Sequence, residues 1–341
     1  MPDVETPKAV IFGCEGPVLT DWEKGFFADT NPLGLILFAR NCQSPAQVRA
    51  LVADFHRAVG REDGPVLIDQ EGGRVARLRP PHWRAAPAAA ELGALGARDG
   101  TRARRAVTLN ARLLAAELAD LGITVDCAPV LDLSVAGAHD VIGDRAFGSD
   151  PEVVACLGRA VCEGLLAGGV LPVIKHMPGH GRVLVDSHHA LPRVEASRAD
   201  LERTDFRPFA ALSDAPWGMT AHVVYTALDP DNPATTSARI ITEVIRGTFG
   251  FDGVLVSDDL SMNALSGGLG ARAAAALAAG CDVALHCNGR AEEMIEVAAV
   301  APVLSPDAVR RLAAASAQVT PPASMDTAAL TADLDDLLAV R

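Results

Sequence analysis

GGVLPVIKHMPGHGRVLVDSHH, residues 168–189, opens as one kind of structure and ends as another. GGVLPVI is a short apolar run that reads as a buried strand, so Lys175 and His176 fall at its C-terminal end. The rest sets four histidines, a lysine and an aspartate around glycines and a proline. A packed core has no use for so many groups that titrate near neutral pH or hold a donor at a fixed angle. From Gly179 onward the segment reads as a loop carrying a site. Asp186 and His188 stand two residues apart, which in extended backbone puts both side chains on one side, within hydrogen-bond reach. A carboxylate beside an imidazole fixes the ring's tautomer and raises its basicity. This pair is the acid/base candidate.

Outward from this run, seven more of the same form recur: KAVIFGCEG (8–16), LGLILFARN (33–41), PVLIDQEGG (65–73), ITVDCAPVLD (123–132), WGMTAHV (217–223), GVLVSDD (253–259) and DVALHCN (282–288). Each is apolar and ends in polar or charged residues. Between them lie alanine-rich stretches with apolar residues at helical spacing, such as 45–59, 103–122 and 151–169. Eight strands alternating with helices predict an α/β chain folded as a (β/α)8 barrel of the TIM type. An open doubly wound sheet is the alternative, but the turn after the first run, GCEGPVLT, lacks the phosphate-binding glycine pattern. No linker or repeat divides the chain. The expectation is one catalytic domain over 1–341, with the barrel at about 8–290 and a helical extension at about 291–341.

The formal charge of −13 disfavours nucleic acid and anionic membrane surfaces as partners and favours a small polar ligand. The acidic N-terminus lacks the basic and apolar regions of a signal peptide, and no run reaches the roughly 20 apolar residues of a membrane span. Seven cysteines without CxxC spacing read as buried small hydrophobes in a reducing, cytoplasmic setting.

Barrel enzymes build their sites at the C-terminal ends of the strands, where Asp69, Lys175, His176, His222, Asp258 and Asn288 all fall. In IDQEGGRVARL (68–78), Asp69 with Arg74 and Arg77 is suited to a sugar's vicinal hydroxyls; a turn closed by an Asp–Arg pair is the structural alternative. VIGDRAFGSDP (141–151) offers Arg145 as a contact, with Ser149 or Asp150 as a helix cap. In GVLVSDD adjacent strand residues face opposite ways, so one aspartate looks into the barrel mouth. Asp258 is the candidate nucleophile, with Asp259 capping the following turn or pairing with a base; both aspartates as N-caps of the next helix is the structural alternative. A metal cage from His180, Asp186, His188 and His189 is disfavoured by its spacing and by the neighbouring Lys175.

Together these motifs resemble glycoside hydrolase family 3, specifically its single-domain NagZ-type β-N-acetylhexosaminidases. GLILFARN, IDQEGGRVARL, APVLDL, VIGDRAFG, KHMPGHG with DSHHALP, MTAHVVYTALDP and GFDGVLVSDDLSM stand in the family's order. Met177 replaces the usual aromatic of KHFPGHG. The resemblance implies Asp258 as nucleophile and His188, held by Asp186, as acid/base on a mobile loop. It implies Asp69, Arg77, Arg145, Lys175 and His176 as sugar-binding residues, with His222 a further site residue. It also implies removal of terminal β-linked N-acetylglucosamine with retention, no metal or organic cofactor, and cytoplasmic work on recycled cell-wall fragments. Separately from the resemblance, a monomer or homodimer is expected. A β-glucosidase or a phosphorylase within the family, and a sugar-binding protein without catalysis, are the competing readings.

Overall fold

The computed structural model describes residues 6–184, 191–320 and 326–339. Eight parallel strands close into a barrel, each matching one of the eight apolar runs. In chain order they are β1 (Lys8–Gly13), β2 (Pro32–Leu37), β3 (Val66–Ile68), β4 (Val125–Asp126), β5 (Leu171–Met177), β7 (Trp217–Thr220), β9 (Val254–Asp259) and β10 (Val283–His286). β10 pairs back onto β1, with Val10 opposite Ala284, and closes the ring. Two short strands, β6 (Arg193–Val194) and β8 (Val224–Tyr225), form a separate ribbon beside the mouth.

Parallel strands covered on both faces must be apolar on both, which is why the runs read as unbroken. Ile11, Leu67, Val125, Val173, Trp217, Val256 and Leu285 fill the barrel interior. Val10, Leu35, Ile68, Ile174 and Leu255 pack outward under the helices. The shell comprises α1 (Asp21–Thr30), α2 (Pro45–Val59), α3 (Ala89–Gly96), α4 (Gly100–Asp120), α5 (Pro151–Ala167), α6 (Arg198–Arg203), α7 (Phe206–Ala211), a π-helical turn at Ile240–Thr248, α8 (Leu269–Ala279) and α9 (Ala291–Val300). α2 shows how such a helix is specified. Ser44 caps it and Pro45 starts it, Val48, Leu51, Val52 and Phe55 bury one face, and Gly60 ends it in the left-handed region.

Beyond α9, α10 (Pro306–Ser316) seals the N-terminal end of the barrel. Leu304, Ala308, Leu312 and Ala315 join the interior cluster, and Arg311 bonds both Asp282 and Asp252. α11 (Thr327–Ala339) lies on α4, where Arg102 donates to the carbonyls of Leu337 and Asp336. The C-terminal mouth stays open.

Candidate active site

The inward register of three strands carries polar residues to that mouth. Leu67, Val173 and Val256 face the interior, and two residues on, the same face presents Asp69, Lys175 and Asp258. They border a cavity of about 480 Å³, within the range of small-molecule sites.

On one wall, charges alternate through five side chains. Arg77 Nη2 lies 3.0 Å from Asp69 Oδ2, and Lys175 Nζ lies 2.7 Å from Asp69 Oδ1 and 2.6 Å from Glu71 Oε1. Arg145 closes the chain with two parallel bonds to Glu71, each 2.9 Å. The turn-closing Asp69–Arg77 pair and the cavity-lining aspartate are therefore one arrangement. Burial alone would raise the carboxyl of Asp69, but Lys175 and Arg77 hold it well below the usual range. Burial likewise opposes ionisation of Glu71, which Arg145 and Lys175 bring down to about 2. Lys175 shows the mirror image: burial lowers it, and Asp69 and Glu71 outweigh that and raise it. Among the described residues the buried Arg77 Nε has no hydrogen-bond partner, and the guanidinium lies over the Phe38 ring.

Arg145 reaches this wall because its loop is fastened. Arg74 Nη2 donates to the carbonyls of Asp140, Val141 and Ile142 at 2.6–3.0 Å, and its Nε pairs with Asp144. Gly143 turns the loop with φ 44°, and a Cβ there would meet Asp140 Oδ1 at 2.3 Å. Asp150 caps α5 by accepting from Glu152 N.

Asp258 and Asp259 both border the cavity. Their partners separate them. Asp259 accepts from Ser261 N and Oγ and from Cys287 N, which makes it the turn cap. Among the described residues Asp258 accepts one hydrogen bond, 2.8 Å from Asp259 N, and has no ion pair. Burial pushes its carboxyl up, but the imidazoles of His222, His176 and His180 and the Asp259 amide outweigh that and bring it below its ordinary value.

His222 departs from its expected place. It lies two residues past the end of β7, fully buried, with Nε2 2.9 Å from the Asp259 carbonyl and Nδ1 2.7 Å from Thr235 Oγ1. A carbonyl only accepts, so Nε2 carries the proton. His222 thus braces the strand end behind Asp258 rather than lining the cavity. Asn288 is likewise spent locally, accepting from Arg290 N.

His176 does line the cavity, and its Nδ1 lies 2.6 Å from the buried Asp132. His180 beside it is lowered to about 4, by burial first and by His176 next. Asp186 and His188 lie outside the described residues. The chain on either side of them is tied down: Tyr225 Oη donates to the Gly179 carbonyl at 2.7 Å, Arg182 pairs with Asp205 at 2.6 Å, and Val224 N donates to Pro192. Among the described residues no group of three or more His, Cys, Asp or Glu side chains is placed to hold a metal ion.

Glu71 and Asp132 went unmarked in the sequence reading, although IDQEGG and APVLDL contain them. A glutamate directly after a strand-end Asp-Gln is a usable signal for the first. The second shows itself only when β4 and β5 are side by side.

The N-terminal domain of glycosyl hydrolase family 3 matches residues 20–319. A β-hexosaminidase of Bordetella avium is 42% identical over 317 residues, covering 91% of this chain and 89% of that protein. NagZ from Neisseria gonorrhoeae, solved in complex with N-trifluoroacetyl-D-glucosamine, superposes with a TM-score of 0.86 at 34% identity, covering 98% of this chain and 99% of that one. A family 3 β-N-acetylglucosaminidase from Paenibacillus gives 0.84 at 32% identity, over 96% of this chain and 67% of that one. With the family's domain matching residues 20–319 and a relative 42% identical over 91% of this chain, the chain belongs to glycosyl hydrolase family 3.

Proposed function

We propose that this β-hexosaminidase is an exo-acting, retaining β-N-acetylglucosaminidase that removes terminal non-reducing N-acetylglucosamine, with peptidoglycan-derived muropeptides in cytoplasmic cell-wall recycling as its natural substrates. The observation that carries the reading is the contrast among the cavity's carboxylates. Asp69 and Glu71 are tied to cations, whereas Asp258 has a single backbone donor and no counter-ion among the described residues. A lowered pKa with an unengaged oxygen suits a nucleophile. Glu71, held ionised, is unsuited to donate a proton, which favours an imidazole as the acid.

In the first step an Asp258 oxygen attacks the anomeric carbon, the bond to the aglycone oxygen breaks, and that oxygen takes a proton from His188, held by Asp186. In the second, the same imidazole takes a proton from water, the water oxygen bonds to the anomeric carbon, and Asp258 leaves as carboxylate. Two inversions give retention. Asp69, Lys175, Arg77, Arg145 and His176 would hold the sugar's hydroxyls and amide. The N-acyl glucosamine bound by the Neisseria relative supports an N-acetyl sugar in this cavity.

The test is the hydrolysis rate of an aryl β-N-acetylglucosaminide against the matching β-glucoside in phosphate-free buffer, then with phosphate added. A preference of roughly 100-fold or more for the N-acetyl sugar is expected. Comparable rates would leave the family and remove the substrate assignment. A phosphate-dependent rate with release of sugar 1-phosphate would establish a phosphorylase instead.

A further inference from the structure

Asp132 is a fully buried carboxylate that the reaction scheme does not use. The segment before it runs along β5: Lys175 N donates to the Pro129 carbonyl at 3.1 Å and Leu131 N to the Lys175 carbonyl at 2.8 Å. This places Asp132 against the residue after Lys175. Its Oδ2 lies 2.6 Å from His176 Nδ1, and His176 N is 3.3 Å from each of its oxygens. His180 N donates to Oδ1 at 2.6 Å and fixes the carboxylate's plane.

An ionised carboxylate is acceptor-only, so the short bond assigns the proton to Nδ1 of His176. Burial would raise the Asp132 carboxyl, but the His176 imidazole outweighs it and keeps the group ionised. With Nδ1 and the backbone amide both held from behind, the imidazole has no freedom to turn over. Among the described residues its Nε2 has no hydrogen-bond partner, which leaves it for whatever enters the cavity that His176 lines. Carboxylates that orient a working histidine in this way govern its tautomer and direction without touching the ligand.

We infer that Asp132 is a positioning residue for the hydrolysis: it sets the tautomer and direction of His176 and acts on the sugar only through that imidazole. The inference rests on the glycosidase reading, and the test keeps the two apart. Two measurements are made on the wild type, Asp132→Asn, His176→Ala and the double variant. One is kcat/KM on an aryl β-N-acetylglucosaminide. The other is the proton–nitrogen spectrum of the histidine-labelled protein.

The wild type should show a far-downfield Nδ1 proton that is absent from both single variants. Asp132→Asn should lower kcat/KM by roughly 10- to 100-fold. The double variant should fall within about threefold of His176→Ala, because a residue that works through another adds nothing once that other is gone. Wild-type kcat/KM in Asp132→Asn, two losses that multiply in the double variant, or a downfield proton that survives in His176→Ala would each overturn the assignment. Should Asp132→Asn not fold, the wild-type and His176→Ala spectra decide: a downfield proton lost with His176 upholds it, and its absence from the wild type overturns it. A wild type that hydrolyses no glycoside would instead remove the functional reading, while the spectra still report the pairing.

Discussion

Asp258 and Asp259 have the same chemistry and differ only in what surrounds them. The second spends its oxygens on Ser261 and Cys287, while the first keeps an oxygen for the cavity. Asp258→Ala should therefore cut kcat by roughly 10⁴ or more, as removing a nucleophile does, and leave N-acetylglucosamine affinity within a few-fold. Asp259→Ala should do the reverse, with a stability loss of about 1–3 kcal/mol from the stranded amides and hydroxyl and a kcat still measurable. Steady-state kinetics with thermal melts on the two variants check this; turnover lost only in Asp259→Ala would move the nucleophile by one residue. The same contrast explains which site residues were legible in the sequence. Asp69, Lys175 and Asp258 announce themselves by ending apolar runs. Glu71 and Asp132 do not, because their meaning comes from Arg145, 74 residues away, and His176, 44 residues away. What His222 does was equally hidden: it lies past the end of β7 at Thr220, and its bonds go to Thr235 and to the Asp259 carbonyl of another strand.

Among the elements, the eight strands were readable because a parallel barrel demands apolar residues on both faces of each. The role of α10 was not, since the surface it covers exists only once the ring has closed and exposed the lower ends of the strands. Close approaches between elements are equally hidden, and one of them bears on the site. Gly93 of α3 lies against the backbone of Phe147, where an added Cβ would come within 1.6 Å of the carbonyl oxygen. No side-chain adjustment relieves a contact with backbone, so α3 and the loop at 141–147 must part. That loop carries Arg145, whose bidentate hold on Glu71 depends on its placement. Gly93→Ala should cost about 1–3 kcal/mol through overpacking and lower kcat/KM by roughly 10- to 100-fold, the scale of an ångström of misplacement. Melting temperature and KM measured together check it. An alanine variant that melts like the wild type with an unchanged KM would show that α3 does not seat Arg145.

For the molecule as a whole, the consequence of burying ionisable groups close together around one cavity is a stability that depends on pH in stages. His180 is held down to about 4 in the folded chain against 6.5 in an exposed histidine, so between these values the unfolded chain binds the extra proton. Stability tied to His180 is then complete above about pH 6.5 and falls as the pH drops toward 4. Glu71, brought down to about 2, and Asp69, lower than its ordinary value, act in the same direction, but their stabilisation is lost only below about pH 4.5. Asp126 works the other way: burial raises its carboxyl well above the usual range, so its protonated form favours the folded state in acid and partly offsets the losses. A raw pH profile mixes these contributions, and a difference between variants separates them. His180→Gln keeps a polar side chain but no titration. Between pH 7.5 and 4 the wild type should lose stability faster than this variant, by up to about 3 kcal/mol at the acid end, measured as urea midpoints at half-unit steps. Parallel profiles would mean that His180 titrates alike in both states, and the low-pH stage would then belong to the carboxylates alone.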